Sequence, residues 1–205
     1  MRGTKLVVFV VLLALIVGLA FWLFLRRGFS ARSEPTAVET FLARTTRRLA
    51  TPGWADELAN PQPVTEDNIR EGLEHFADHC AICHGNNGSG DMDFGRGMYP
   101  HPPDLRQPQT QQLKDGEIYY IIQNGIRLTG MPAFGKDDRR DEVGSWNLVL
   151  FIRHLPKLTP SEEAEMERLN PKTPEEWRQI QETEEFLGGS EQEPKSGAQA
   201  QPHQH

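Results

Sequence analysis

Cysteine is nearly missing from this chain of 205 residues, occurring at positions 80 and 83 and nowhere else. A structural zinc site normally ties together ligand pairs from separated segments, and no second cluster exists to complete one. Strand-like alternation of apolar and polar residues is also lacking, which removes the βαβ setting of a thioredoxin-like dithiol. Acidic residues are absent from positions 1–32, which hold five of the 22 Lys and Arg, so all 29 Asp and Glu fall on the remainder. That remainder is therefore more acidic than the formal −7 of the whole chain, which argues against nucleic acid as a partner.

The length admits one domain of ordinary size plus appendages. One appendage is Leu6–Leu25, 20 residues without a charged side chain and interrupted only by Gly18. At a helical rise of about 1.5 Å per residue this run matches a hydrocarbon core about 30 Å thick. A cleavable signal would have a shorter apolar region followed by small residues, whereas this run ends in Phe24-Leu25-Arg26-Arg27 with Trp22 near the interface, as expected of a retained anchor. Arg2 and Lys5 on one side balance Arg26, Arg27 and Arg32 on the other, so basic flanks alone do not orient it.

Both cysteines belong to one string, Cys80-Ala81-Ile82-Cys83-His84. This is the spacing of c-type haem attachment: each thiol can form a thioether to a haem vinyl group, and the adjacent imidazole is delivered to one face of the iron. A single string implies a single haem. A zinc site from His75, His79, Cys80 and Cys83, or a redox dithiol, are the competing readings.

Helical periodicity predicts an amphipathic helix over 33–50, with Val38, Phe41, Leu42, Thr45 and Leu49 on one face and Arg44, Arg47 and Arg48 mostly elsewhere. Its apolar stripe is expected either to pack on the next domain or to lie on anionic headgroups. Three prolines make Thr51–Pro63 a linker. Further helices are expected at Thr65–Cys83, Gln107–Lys114, Asp115–Gly125 and Asp141–Leu155. Gly85–Asp91 reads as a turn, because it lacks the lysine of a phosphate loop and the twelfth-position glutamate of a calcium loop. From Thr159 the chain carries 11 Glu, with helix starts at Thr159-Pro160 and Thr173-Pro174-Glu175-Glu176, and disorder is expected beyond Gly188. The resulting division is 1–32 anchor, 33–64 juxtamembrane helix and linker, 65–158 main domain, and 159–205 acidic, partly disordered tail.

Over roughly residues 65–157 the pattern resembles the class I c-type cytochromes. Gly72 and Phe76 stand eight and four residues before Cys80, where that family places a small residue for helix crossing and an aromatic over the haem. Leu148 and Phe151 fall where it places the partners of the crossing. Tyr99-Pro100-His101-Pro102-Pro103-Asp104-Leu105 resembles its proline-rich loop, whose carbonyl orients the proximal imidazole. Asn124-Gly125-Ile126-Arg127-Leu128-Thr129-Gly130-Met131-Pro132-Ala133-Phe134 resembles its distal-ligand loop. The resemblance implies an all-α, class I cytochrome c-like domain around one covalent haem c, with His84 and Met131 as axial ligands of the iron. Met131 lies 47 residues after His84, between Gly130 and Pro132. Met98 is expected on the proximal side, Met92 is closer still in sequence, Met166 falls in the tail, and His101 and His154 are the histidine alternatives.

With both axial positions filled, the expected role is electron carriage and not catalysis, with Arg127 or Tyr99 near a propionate. The resemblance also implies haem attachment outside the cytoplasm, hence a single-pass inner-membrane protein with its soluble domain on the periplasmic side. Its partners are then redox proteins of the membrane or periplasm. Two alternatives are a haem c subunit of a larger membrane oxidoreductase, and a haem-based sensor or metal-handling protein using His203 and His205.

Overall fold

The computed structural model describes residues 2–26, 28, 30–136 and 140–188. Every regular element among them is helical: α1 Arg2–Arg26, α2 Ala37–Ala50, α3 Gly53–Glu57, α4 Glu66–His79, α5 Ala81–His84, α6 Asp93–Arg96, α7 Pro108–Gln111, α8 Asp115–Asn124, α9 Val143–His154, α10 Pro160–Leu169 and α11 Pro174–Gly188. A 3-10 turn, Leu155–Lys157, follows α9. Asn170 onward forms a separate unit whose described part contains α11. The C-terminal residues for which disorder was expected, and His203 and His205, lie outside the described residues.

Helix α4 begins where Thr65 accepts a hydrogen bond from the Asn68 amide, with Glu66 and Asp67 complementing the first turn. It buries Gly72, Leu73, Phe76 and Ala77 against α9, which is itself enclosed on all sides from Ser145 to Ile152. The crossing is close because position 72 has no side chain: a Cβ there would lie 2.1 Å from the Asn147 carbonyl oxygen and 2.9 Å from Phe151 Cβ. Asn147 is fully buried, and its amide donates to Glu71 at 2.6 Å. Tyr119 of α8 stacks on Trp146 of α9 with ring centroids 4.0 Å apart. Arg153 ties α9 to the start of α8 by bonding Asp115 Oδ1 at 2.7 Å and the carbonyls of Gln111 and Leu113.

Two segments depart from the sequence reading. The proline-containing stretch after α2 holds the short helix α3, whose Ala55 is fully buried against α8; a Cβ on Gly116 would lie 2.1 Å from the Ala55 carbonyl oxygen. Helix α10, assigned from sequence to the tail, packs on α4 and puts Met166 into the core with no exposed surface. Arg70 pairs with Glu165 at 3.1 Å and His154 with Glu162 at 2.9 Å, so this contact is polar at its margins as well. Its acidic face hid the one apolar anchor. In the separate unit, α11 starts as expected, with Thr173 and Glu176 capping each other.

Gly72→Ala should therefore force α4 and α9 apart and lower the stability to denaturant by about 1–3 kcal/mol. Met166→Ala should cost about 2–5 kcal/mol by opening a cavity at the α10 contact. Equilibrium urea unfolding measures both, and an unchanged Met166→Ala midpoint would detach α10 from the domain.

Candidate functional site

The motif residues sit where α4 gives way to α5. Cys80 caps the C-terminus of α4, its amide donating to the Phe76 carbonyl at 2.9 Å, and lies partly buried against the core. Cys83 and His84 occupy the last positions of α5, so the two thiols are one turn apart and the imidazole follows at once. Burial, reinforced by Cys83 and Asp78, pushes the Cys80 thiol up to about 12; burial also raises Cys83. Phe76 reaches from the preceding turn, its ring 6.4 Å from His84 and 5.2 Å from Phe151.

Gly85 ends α5 with a positive φ of 73° and turns the chain back across the motif. The returning loop is held by backbone contacts: the Gly90 amide donates to the His84 carbonyl at 2.7 Å, and the Leu105 amide to the Gly88 carbonyl at 2.8 Å. A Cβ on Gly90 would meet the Pro102 carbonyl oxygen at 2.3 Å. The proline-rich segment is thereby laid beside His84. His84 Nδ1 is buried and makes no contact of full hydrogen-bond geometry, although the Pro103 carbonyl is near enough to raise the imidazole's pKa against the larger, lowering influence of burial. A neutral imidazole with one nitrogen directed to a carbonyl is the form in which histidine ligates a metal.

On the other side, α8 ends at Gly125, with a positive φ of 64°, and the next residues form a tight loop. The Ile126 amide donates to the Met131 carbonyl and the Met131 amide to Thr129 Oγ1, both at 3.1 Å, while Phe134 and Gly135 bond back to Ile122 and Gln123. Leu128, at the apex, takes a positive φ of 63° and is 94 % exposed. Phe134 packs edge-on against His79 at 6.1 Å, which brings this loop beside the start of the cysteine string. Met98, expected on the imidazole side, instead has its sulfur against Gly130: a Cβ there would lie 2.5 Å from Met98 Sδ. That meeting depends on a turn between distant segments and leaves no periodic signal.

The donor set fits haem better than its rivals. His75 and His79 lie with rings 6.2 Å apart, but no group of three or more His, Cys, Asp or Glu among the described residues is arranged to hold a metal ion, which weakens the zinc reading. His101 Nε2 is a second buried ring nitrogen without a hydrogen-bond partner, of the kind that a cofactor carboxylate satisfies; its Nδ1 lies 3.2 Å from Glu34. Tyr99, offered from sequence as a propionate neighbour, turns its hydroxyl to Glu39.

Residues 67–152 match the family described as cytochrome C oxidase, cbb3-type, subunit III. No curated protein matches the chain. The matched stretch is a class I c-type cytochrome domain, which binds haem c covalently and serves electron transfer.

Beside the site, Asp104 receives two hydrogen bonds from the Arg106 guanidinium, each 2.9 Å, which hold its carboxyl down at about 2 from an ordinary 3.8. Because the folded value is depressed, Asp104 contributes stability above about pH 4 and loses it as pH falls toward 2. The stability difference between the wild type and Asp104→Asn should shrink across that window; pH-dependent thermal unfolding measures it.

Proposed function

We propose that this cytochrome domain carries one haem c on Cys80 and Cys83, with His84 and Met131 as axial ligands, and relays electrons on the outer side of the cytoplasmic membrane. The observation that carries the reading is the junction of α4 and α5, where two thiols one turn apart precede an imidazole beside the Pro103 carbonyl. Haem supplies a reversible one-electron change at iron, and a histidine–thioether pair favours the reduced state.

The chain's own part is positional. Cys80 and Cys83 would hold the cofactor at the helix end, Phe76 and Phe151 keep one wall apolar, and the Pro103 carbonyl stands beside the imidazole where it can accept from the ring N–H. Gly125 turns the distal loop, and its closing bond to Ile126 positions Met131. With both axial sites filled, the protein has no open position for substrate and works as a carrier, not an enzyme. Helix α1 is long and apolar enough to cross a membrane. The likeness to an oxidase subunit favours membership of a membrane oxidase complex as the setting, and a free tethered carrier is the second form of the same reading.

Haem staining of a denaturing gel after acid–acetone extraction should show a coloured band that Cys80→Ala together with Cys83→Ala removes. Met131→Ala should abolish the weak far-red band of the oxidised protein and lower the reduction potential, while Met98→Ala should leave both in place. The opposite result would transfer the ligand role to Met98.

A further inference from the structure

Helix α2 is built inside out relative to an ordinary surface helix. It starts with a full capping box, Thr36 accepting from the Glu39 amide and Glu39 accepting from the Thr36 amide at 2.7 Å, so it is an independently well-formed helix. None of its residues is buried. It touches the cytochrome domain through polar groups: Glu39 to the Tyr99 hydroxyl and Arg44 to Gln109, with Glu34 to His101 just ahead of it. Its apolar stripe is turned to the outside, with Val38 67 %, Phe41 67 %, Leu42 56 % and Leu49 82 % exposed. The alternative of an apolar stripe packed on the domain is thus excluded by the way the helix sits.

Four large side chains on one continuous stripe need an occupant, since soluble surfaces seldom leave such a patch uncovered. Helical spacing puts Arg48 along one edge of the stripe beside Phe41, where a long basic side chain can cover apolar atoms and keep its charge among phosphates. The helix also begins only eleven residues after Arg26, where α1 ends, so it cannot leave the neighbourhood of a membrane that α1 crosses. Charge and position point to the same occupant. We infer that α2 lies in the interfacial plane of an anionic bilayer, its Val38–Phe41–Leu42–Leu49 stripe inserted at the headgroup boundary and its polar face docking the cytochrome domain onto the membrane. This rests on the reading that α1 spans the bilayer.

The test uses full-length holoprotein in vesicles of phosphatidylcholine with phosphatidylglycerol. Single cysteines introduced as Val38→Cys, Phe41→Cys, Leu42→Cys and Leu49→Cys, with Ala43→Cys and Ala50→Cys on another face, carry a nitroxide; Leu15→Cys marks the α1 span. Paramagnetic accessibility should show the four stripe sites severalfold more accessible to oxygen than to a water-soluble nickel chelate, the two alanine sites reversed, and the stripe sites shifted outward by Arg48→Gln. If Leu15 is shielded from nickel while the stripe sites are open to it, the inference fails and the anchor stands. If Leu15 is itself open to nickel, the spanning reading fails and takes the inference with it. Stripe sites closed to both reagents, or broadened by dipolar coupling between labels, would assign the face to another protein or to a second copy and overturn the lipid assignment.

Discussion

The close crossing of α4 and α9 at Gly72 is the constraint on which the rest of the domain depends. Backbone against backbone at that point sets the separation of the two longest helices of the domain, and everything else is measured from it. It aligns Phe76 with Phe151, and it fixes the direction in which α4 delivers Cys80. It also turns the buried side of α9 toward α8, where Trp146 and Tyr119 stack. The domain has an apolar cluster of its own, built from α4, α8 and α9 with Met166 of α10. The crossing and the ring stack give it a protein-only core that holds the attachment string at the right end of a rigid helix.

Around that core the loops are specified by backbone approach more than by side chains. Gly88 lies under Leu155, Gly90 under Pro102, and Gly95 against the Cys83 carbonyl. The loop is thus pressed onto the motif along its length, which is how a segment without regular structure can hold a carbonyl beside His84. Charge is arranged at the margin: Asp104 with Arg106 outside the proline-rich segment, and Arg153 with Asp115 at the far end. The buried side chains behind the motif, Phe76, Phe151 and Leu155 among them, are apolar, which would favour the less charged, reduced form of a haem held there.

Much of this was legible in the sequence because the informative residues carry local chemistry. Cys80, Cys83 and His84 announce themselves by spacing, Gly72 and Phe76 by their offset from Cys80, and the α8 and α9 segments by periodicity. Helix ends were near the expected places because Thr65, Thr159 and Thr173 are strong caps. What was not legible is what depends on tertiary partners. Met166 is one apolar residue in an acidic helix, and only α4 shows that it is buried. Ala55 lies three residues after Pro52 and looks like linker, yet it meets a glycine on α8 that no local rule could pair with it. Met98 reaches Gly130 only because two loops fold toward each other.

The adhesion of α3 to α8 has a consequence for encounter kinetics. Because Ala55 is locked in place and Asn60 bonds the Trp146 carbonyl at 2.9 Å, the stretch between α2 and α4 contributes no slack. On the reading that α1 spans a bilayer, the leash between bilayer and domain is then the stretch between Arg26 and Ala37, whose fully extended reach is at most about 33–36 Å. A domain held this way would search for redox partners in two dimensions, close to the surface. The tether then fixes the thickness of the layer searched, and the encounter rate with neighbours in the same membrane follows their number per unit area of that layer.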